Sequence, residues 1–362
     1  SNANQSVASG PMNILLITSE DNGHELSCYG DPIITTPNLD RLAREGVRFD
    51  NAYITQAVCS PSRSSILTGL YPHENGQIGL STHNFSMFSE FPTIPSVLKN
   101  AGYRTGRIGK LHVHPESAFP FDFTWNDPQH ISFQNRDVKK TAEVAGEFMK
   151  TSNAPFFLMV NYADAHLPWH RQQSGLPEMP FTAENVRVPP GVGVDSARLR
   201  EHAADYYCCM SRLDTGIGML LKELEQAGLA DNTLVIYLAD HGPQFSRGKG
   251  SVYELAVKVP FIVRWPGVTH ENKKCDAHLV SAIDIMPTIL DAAGCGKEHS
   301  DMPGRSLRPI LEGEPRQWRQ YLFCEWTTSH PYPAPSLLYP QRTVRDDRYK
   351  LILTLLPDRR NP

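Results

Sequence analysis

Three short, uninterrupted apolar runs constrain this chain more than any other feature: Asn13-Ile-Leu-Leu-Ile-Thr18, Phe156-Phe-Leu-Met-Val160 and Thr233-Leu-Val-Ile-Tyr-Leu238. A strand with one wet face alternates apolar and polar residues. A run that is apolar throughout marks a strand covered on both faces, as in a parallel sheet between helices. Helical spacing separates the runs. Thr36 predicts a cap with Pro37 in the first turn of a helix that continues through Leu39, Leu42 and Ala43 to Gly46. From Ala203 to Ala227 apolar residues recur at Tyr206, Met210, Leu213, Ile217, Leu220, Leu221 and Leu224, and Gly228 stops the helix. Tyr103 to Ile108 reads as extended, Val259 to Arg264 as a fourth strand, and Ile283 to Ala293 as a further helix. This alternation predicts an α/β fold with a central, largely parallel sheet flanked by helices. The three runs lead into polar clusters: Ser19-Glu20-Asp21-Asn22-Gly23, Asp164 with His166, and Asp240-His241-Gly242. Open α/β sheets place their sites in the crevice at those strand ends.

A chain of 362 residues accommodates one large domain and a smaller appendage. With 35 Lys and Arg against 39 Asp and Glu, the net charge is −4. That leaves no basic field for a nucleic acid, and an anionic substrate must be gripped by a few placed cations. The seven cysteines are scattered and form no CxxC pair, which argues against a zinc ribbon or disulfide scaffold and for one cysteine in a special context. No apolar run reaches the ~18–20 residues of a membrane span. Ser1-Asn2-Ala3 reads as an expression scar and Asn4 to Pro11 as a loose leader, which leaves the compartment open. A Pro-rich loop is expected from Pro331 to Pro340, before a last strand-like piece, Tyr349 to Thr354.

Cys59-Ser60-Pro61-Ser62-Arg63 supplies the special context. Pro61 suits the first turn of a helix that Ser64-Ser-Ile-Leu-Thr-Gly69 continues. Cys59 would then stand at a helix N-terminus, where free amides and the dipole favour an anion. Taken alone, such a residue is more often a buried structural cysteine. A thiolate phosphatase needs an arginine six positions after the cysteine, and position 65 is serine. Glu20-Asp21 and Asp240-His241 are each readable as a turn or cap. Two such donor pairs at sheet ends better suit a hard cation, since Ca²⁺ takes about six to eight ligands, mostly oxygen.

Cys59-x-Pro-x-Arg63 followed by Leu67-Thr-Gly69 resembles the formylglycine signature of type I sulfatases, and the run from Cys59 to Gly76 matches over its whole length. The resemblance implies an alkaline-phosphatase-like sandwich and a maturation enzyme that oxidises Cys59 to an aldehyde. It also implies one Ca²⁺ held by Glu20, Asp21, Asp240, His241 and the modified residue 59. Glu20 stands where the family usually has aspartate, and His241 where it has Asn or His. Lys110 and His112 match the contacts to the aldehyde hydrate, His166 the leaving-group histidine, and Lys249 the lysine on the substrate sulfate. A finer resemblance, to the heparan N-sulfatases, lies in Gly109 to Glu116, Pro120 to Phe123, Asn75 to Leu80 and Tyr339 to Val344. The similarity covers roughly residues 12–354. It implies a catalytic domain over 12–310 and the start of a C-terminal subdomain over 311–362, along with a periplasmic, secreted or lysosome-like compartment.

In the mechanism this resemblance implies, one hydrate hydroxyl attacks sulfur, with Ca²⁺ and Arg63 stabilising its oxyanion. Lys110 and Lys249 neutralise the sulfuryl oxygens, and His166 protonates the leaving group. His112 then takes the proton from the second hydroxyl as sulfate departs. The implied substrate is a non-reducing-end glucosamine of a heparin or heparan fragment, N-sulfated, with His83, Glu116 and Asp122 as candidates to line its pocket. The competing expectations are an O-sulfatase, a phosphate or phosphonate monoester hydrolase of the same superfamily, and a degenerate binding protein for sulfated sugars.

Overall fold

The computed structural model describes residues 11–151, 153–296, 301–313, 317–328 and 338–358. The proposed scar and leader, up to residue 10, and most of the Pro-rich loop lie outside the described residues. In chain order the strands are β1 (Asn13–Ser19), β2 (Val47–Phe49), β3 (Ala52–Tyr53), β4 (Arg104–Ile108), β5 (Phe123–Trp125), β6 (Phe156–Tyr162) and β7 (Thr233–Ala239). They continue with β8 (Phe261–Arg264), β9 (Lys273–Cys275), β10 (Val280–Ser281), β11 (Leu322–Trp326), β12 (Gln341–Arg345) and β13 (Lys350–Thr354).

Eight of them form one sheet in the order β5-β4-β6-β1-β7-β8-β2-β9. From β5 to β7 every neighbour is parallel. β8 runs antiparallel to both β7 and β2. The three apolar runs are the central strands β6, β1 and β7, and every residue in them is buried. Successive side chains of a strand point to opposite faces, and β1 divides accordingly. Ile14 and Leu16 join a core under the helices Cys59–Thr68 and Ile285–Ala292. Leu15 and Ile17 join a core under Pro37–Glu45, Val138–Lys150 and Ala197–Gln226. The fold is therefore the expected sandwich of helices about a largely parallel sheet. The long helix begins at Ala197, six residues before the apolar periodicity does, with the Ser196 side chain accepting from the Leu199 N–H. Strands β11, β12 and β13 make a separate antiparallel sheet.

Register decides where the polar clusters meet. Ser19 pairs with Tyr162 of β6 and with Ala239 of β7, so the three central strands end level. The amide of Glu20 then donates to the Tyr162 carbonyl at 2.9 Å, and that of Asp240 to the Ser19 carbonyl at 2.8 Å. Beside β6, β4 ends at Ile108 and turns at Gly109, whose φ is +85°. A Cβ there would lie 2.8 Å from the Asn161 carbonyl oxygen, so only glycine passes.

Candidate active site

Four adjacent parallel strands deliver the site. Glu20 and Asp21 follow β1, Lys110 and His112 follow β4, His166 follows β6, and Asp240 and His241 follow β7. Lys249 comes from the segment after His241. Cys59 and Arg63 come from the helix Cys59–Thr68, whose ten residues are all buried. Cys59 is its first residue, as expected, with Gly69 closing it at φ +70°. Cys59 is in no disulfide.

The ten residues form one connected group. The Arg63 guanidinium donates to Asp240 Oδ2 from Nε (3.2 Å) and Nη2 (3.0 Å), and to Asn161 Oδ1 at 2.6 Å. Lys110 Nζ lies 2.7 Å from Glu20 Oε2, and Lys249 Nζ lies 2.8 Å from Asp21 Oδ2 and 3.5 Å from His166 Nε2. Cys59 Sγ is 3.5 Å from His241 Nε2. His112 Nε2 meets the Thr82 hydroxyl at 3.3 Å. Asp21 and His112 both adopt left-handed backbone, φ +52° and +58°. Such conformations in non-glycine residues persist where surrounding structure imposes them, and they gather at functional sites.

This concentration of charge shifts the titrating groups. Burial by itself would raise the Cys59 thiol, but Lys110 and Lys249, with hydrogen bonds from His112 and His166, hold it well below its usual value. Burial would likewise raise Glu20; Lys110 and Arg63 outweigh it and hold the carboxyl far below the carboxylate range. Burial lowers His166, yet its bond to Cys59 and the charges of Asp21 and Glu20 leave it raised. His241 is pushed up to about 9, burial notwithstanding, by Asp240 and Asp21.

The residues fit a bound cation. Asp21 Oδ1 is buried and accepts no hydrogen bond. His241 Nδ1 lies 2.9 Å from the Gly242 carbonyl, which can only accept. One ring proton is thereby held on Nδ1, so Nε2, 3.3 Å from Asp21 Oδ1, either takes the second proton that the raised pKa favours or turns its lone pair to a bound cation that replaces it. Two lone pairs that close, shut off from water, need a positive charge between them. Asp21, Cys59, Asp240 and His241 can present ligand atoms within 4.8 Å of one another, and so can Glu20, Asp21, Cys59 and His166. Glu20 thus shares with His166 rather than with Asp240.

A cleft of about 830 Å³ opens onto Cys59, Lys110, His112, His166 and Lys249. Of the three candidates for its sugar pocket, His83 and Glu116 line it. Asp122 does not: it sits at the other end of β4, 2.6 Å from Lys99 Nζ and accepting from the Thr105 amide. Asn161 went unnoticed in the sequence, although it clamps both Glu20 (2.8 Å from Nδ2 to Oε1) and Arg63. Its signal was a lone amide at the end of an apolar run. Phe133, stacked on His166 at 4.7 Å, left no signal because the loop that carries it has no periodicity. Asp164 is structural, 2.6 Å from the fully buried Arg212.

Residues 12–295 match the family model described as Sulfatase, and residues 245–357 match the one described as N-sulphoglucosamine sulphohydrolase, C-terminal. The chain is 33% identical to N-sulphoglucosamine sulphohydrolase of Homo sapiens, across 95% of this chain and 74% of that protein. It superposes with a TM-score of 0.72 and 25% identity on a structure solved in complex with its substrate D-glucosamine-2-N,6-O-disulfate, covering 95% of this chain and 88% of that one. A phosphonate monoester hydrolase of Agrobacterium radiobacter shares the fold, with a TM-score of 0.76 at 21% identity over 95% and 87% of the two chains. A buried pocket of lysines, arginine and histidines suits an anion whose hydrolysis otherwise fails for want of charge neutralisation, and on these matches the chain belongs to the sulfatase family, an enzyme that hydrolyses sulfuric esters or sulfamates.

Proposed function

We propose that this enzyme removes sulfate from a glycosaminoglycan sugar, namely the N-sulfate of a non-reducing-end glucosamine in heparin or heparan fragments. The observation that carries the catalytic part is the buried Cys59, set at a helix start among Lys110, Lys249, Arg63 and the carboxylates Glu20, Asp21 and Asp240. The match of residues 245–357 to the N-sulphoglucosamine sulphohydrolase C-terminal model supports the sugar. So does the 33% identity to a protein of that name. Residues 12–310 would form the catalytic domain and 311–362 the start of a C-terminal subdomain. Among the described residues no helix is long and apolar enough to cross a membrane.

Glu20, Asp21, Asp240 and His241 would hold the Ca²⁺ ion, with residue 59 as the remaining ligand. Once a maturation enzyme has converted Cys59 to formylglycine, its hydrate supplies the nucleophilic hydroxyl, and the ion supplies positive charge beside it. Lys110 and Lys249 bind the sulfuryl oxygens and neutralise the charge that repels a nucleophile. Arg63, locked between Asp240 and Asn161, keeps the helix start in place and adds charge at residue 59. His166 hydrogen-bonds the Leu167 carbonyl through Nδ1, at 2.6 Å, which leaves Nε2 to give a proton to the departing nitrogen or oxygen. His112, which lines the same cleft, would accept a proton from the hydrate.

His166→Ala is expected to cost about 10²–10⁴-fold in kcat on a sugar sulfamate, a poor leaving group, and far less on an activated aryl sulfate. Steady-state rates on both substrates check this; equal losses would assign His166 another task. The substrate reading is tested with matured enzyme on N-sulfated glucosamine, on the 6-O-, 3-O- and 2-O-sulfated sugars, and on an aryl phosphonate. The highest kcat/KM is expected for the N-sulfated sugar. A higher value for any O-sulfated sugar would make this an O-sulfatase.

A further inference from the structure

The catalytic cations of the cleft are all paired: Lys110 with Glu20, Lys249 with Asp21, and Arg63 with Asp240. Arg107, which lines the same cleft, is not. It lies within the sheet on β4, between Thr124 of β5 and Met159 of β6. Its guanidinium carbon stands over Phe121, 5.8 Å from the ring centroid, at the outer edge of cation–π range. Its Nε is buried without a hydrogen-bond partner. Among the described residues its guanidinium makes no hydrogen bond or ion pair. Glu116, exposed on the same lining, acts on it only at longer range.

An aliphatic residue at this position would bury against Phe121 at no electrostatic cost. A half-buried guanidinium with no hydrogen-bond or ion-pair partner costs desolvation that a distant ring contact and Glu116 at longer range do not offset in the free enzyme. Its charge is fully compensated when an anion enters the cleft. Lys110 is three positions after Arg107, so their Cα atoms lie no more than about 11 Å apart. Two long cationic side chains at that spacing can hold two anionic groups on one sugar or on adjacent sugars. A guanidinium fork also matches the oxygens of sulfate or carboxylate in a bidentate way.

We propose that Arg107 is a second anion-binding point in the substrate cleft, receiving a sulfate or carboxylate other than the one removed. The inference rests on the sulfatase reading above and extends it: the preferred saccharide carries at least two anionic groups. His114, exposed on the same lining, marks the solvent side of this point.

The test uses matured enzyme and three substrates: a glucosamine with the scissile sulfate alone, one with a second sulfate, and a disaccharide with one sulfate and a neighbouring uronate. At least about a tenfold higher kcat/KM is expected for one or both dianionic substrates over the monosulfated sugar, since a charge-assisted bond is at stake. Which dianion is preferred identifies the group bound. Arg107→Met keeps an unbranched stem and should collapse that ratio towards one; Arg107→Lys should restore part of it. Circular dichroism and thermal unfolding confirm that both variants fold. Turnover of all three substrates at equal kcat/KM would overturn the inference and leave the sulfatase reading standing. So would a ratio that Arg107→Met leaves unchanged. No turnover of any sulfated sugar would overturn the proposed function, and this inference with it.

Discussion

Cys59→Ala is expected to abolish sulfatase turnover, by at least about 10⁴-fold in kcat, because in the proposed mechanism it removes the precursor of the nucleophile and not an auxiliary group. The fold should survive. The partners of Cys59 Sγ are the site histidines, His241 at 3.5 Å among them, and the helix it begins is anchored elsewhere. Arg63 on Asp240, Thr55 on Ser65 and the bond from the Ser62 hydroxyl to the Asp240 carbonyl are untouched. Protein produced without a maturation system should behave like the alanine variant while retaining a titratable thiol at position 59. Mass spectrometry of the peptide spanning Cys59, read beside kcat on an aryl sulfate, checks both statements. Wild-type rates in Cys59→Ala would remove the cysteine, and the mechanism with it.

The second large effect concerns the cation. Exhaustive chelation should cost at least about 100-fold in rate, and added Ca²⁺ should restore it, since positive charge beside the reacting oxygen is what the buried carboxylates are arranged to hold. Asp21→Asn should bring a comparable loss that Ca²⁺ no longer repairs at ordinary concentrations. Asp21 is the carboxylate shared by both candidate ligand groups, and one of its oxygens holds Lys249 at 2.8 Å. Elemental analysis of purified protein beside kinetics on the variant separates lost metal from misplaced lysine: a variant that keeps its Ca²⁺ has lost only the lysine's position. A wild-type enzyme that contains no divalent ion and ignores chelators would overturn the cation site.

What the sequence by itself determined were the local features. The runs at β1, β6 and β7 were legible as doubly covered strands because burial on both faces leaves no polar position in the pattern, and all of their residues are buried. Cys59-Ser-Pro-Ser-Arg63 was legible as a helix start because proline and the dipole impose it locally. The polar clusters after the strands marked the crevice, and seven of the ten site residues lie in such a cluster or the cysteine motif. Lys110, His112 and Lys249 are the exceptions, surface or loop charges until the family pattern singles them out.

The tertiary structure decided which of these pieces meet. Strand order places β4, β6, β1 and β7 side by side, the last three with their ends level, and no spacing in the sequence encodes that order. The reversal of β8 against β7 was invisible because a short buried run reads the same in either direction. Only the fold could send Asp122 to Lys99 at the far end of β4, bring Asn161 between Glu20 and Arg63, and leave Arg107 unpaired in the cleft. Each depends on partners distant in sequence. A side chain's type is local information, whereas its partner and its desolvation are set by everything packed around it.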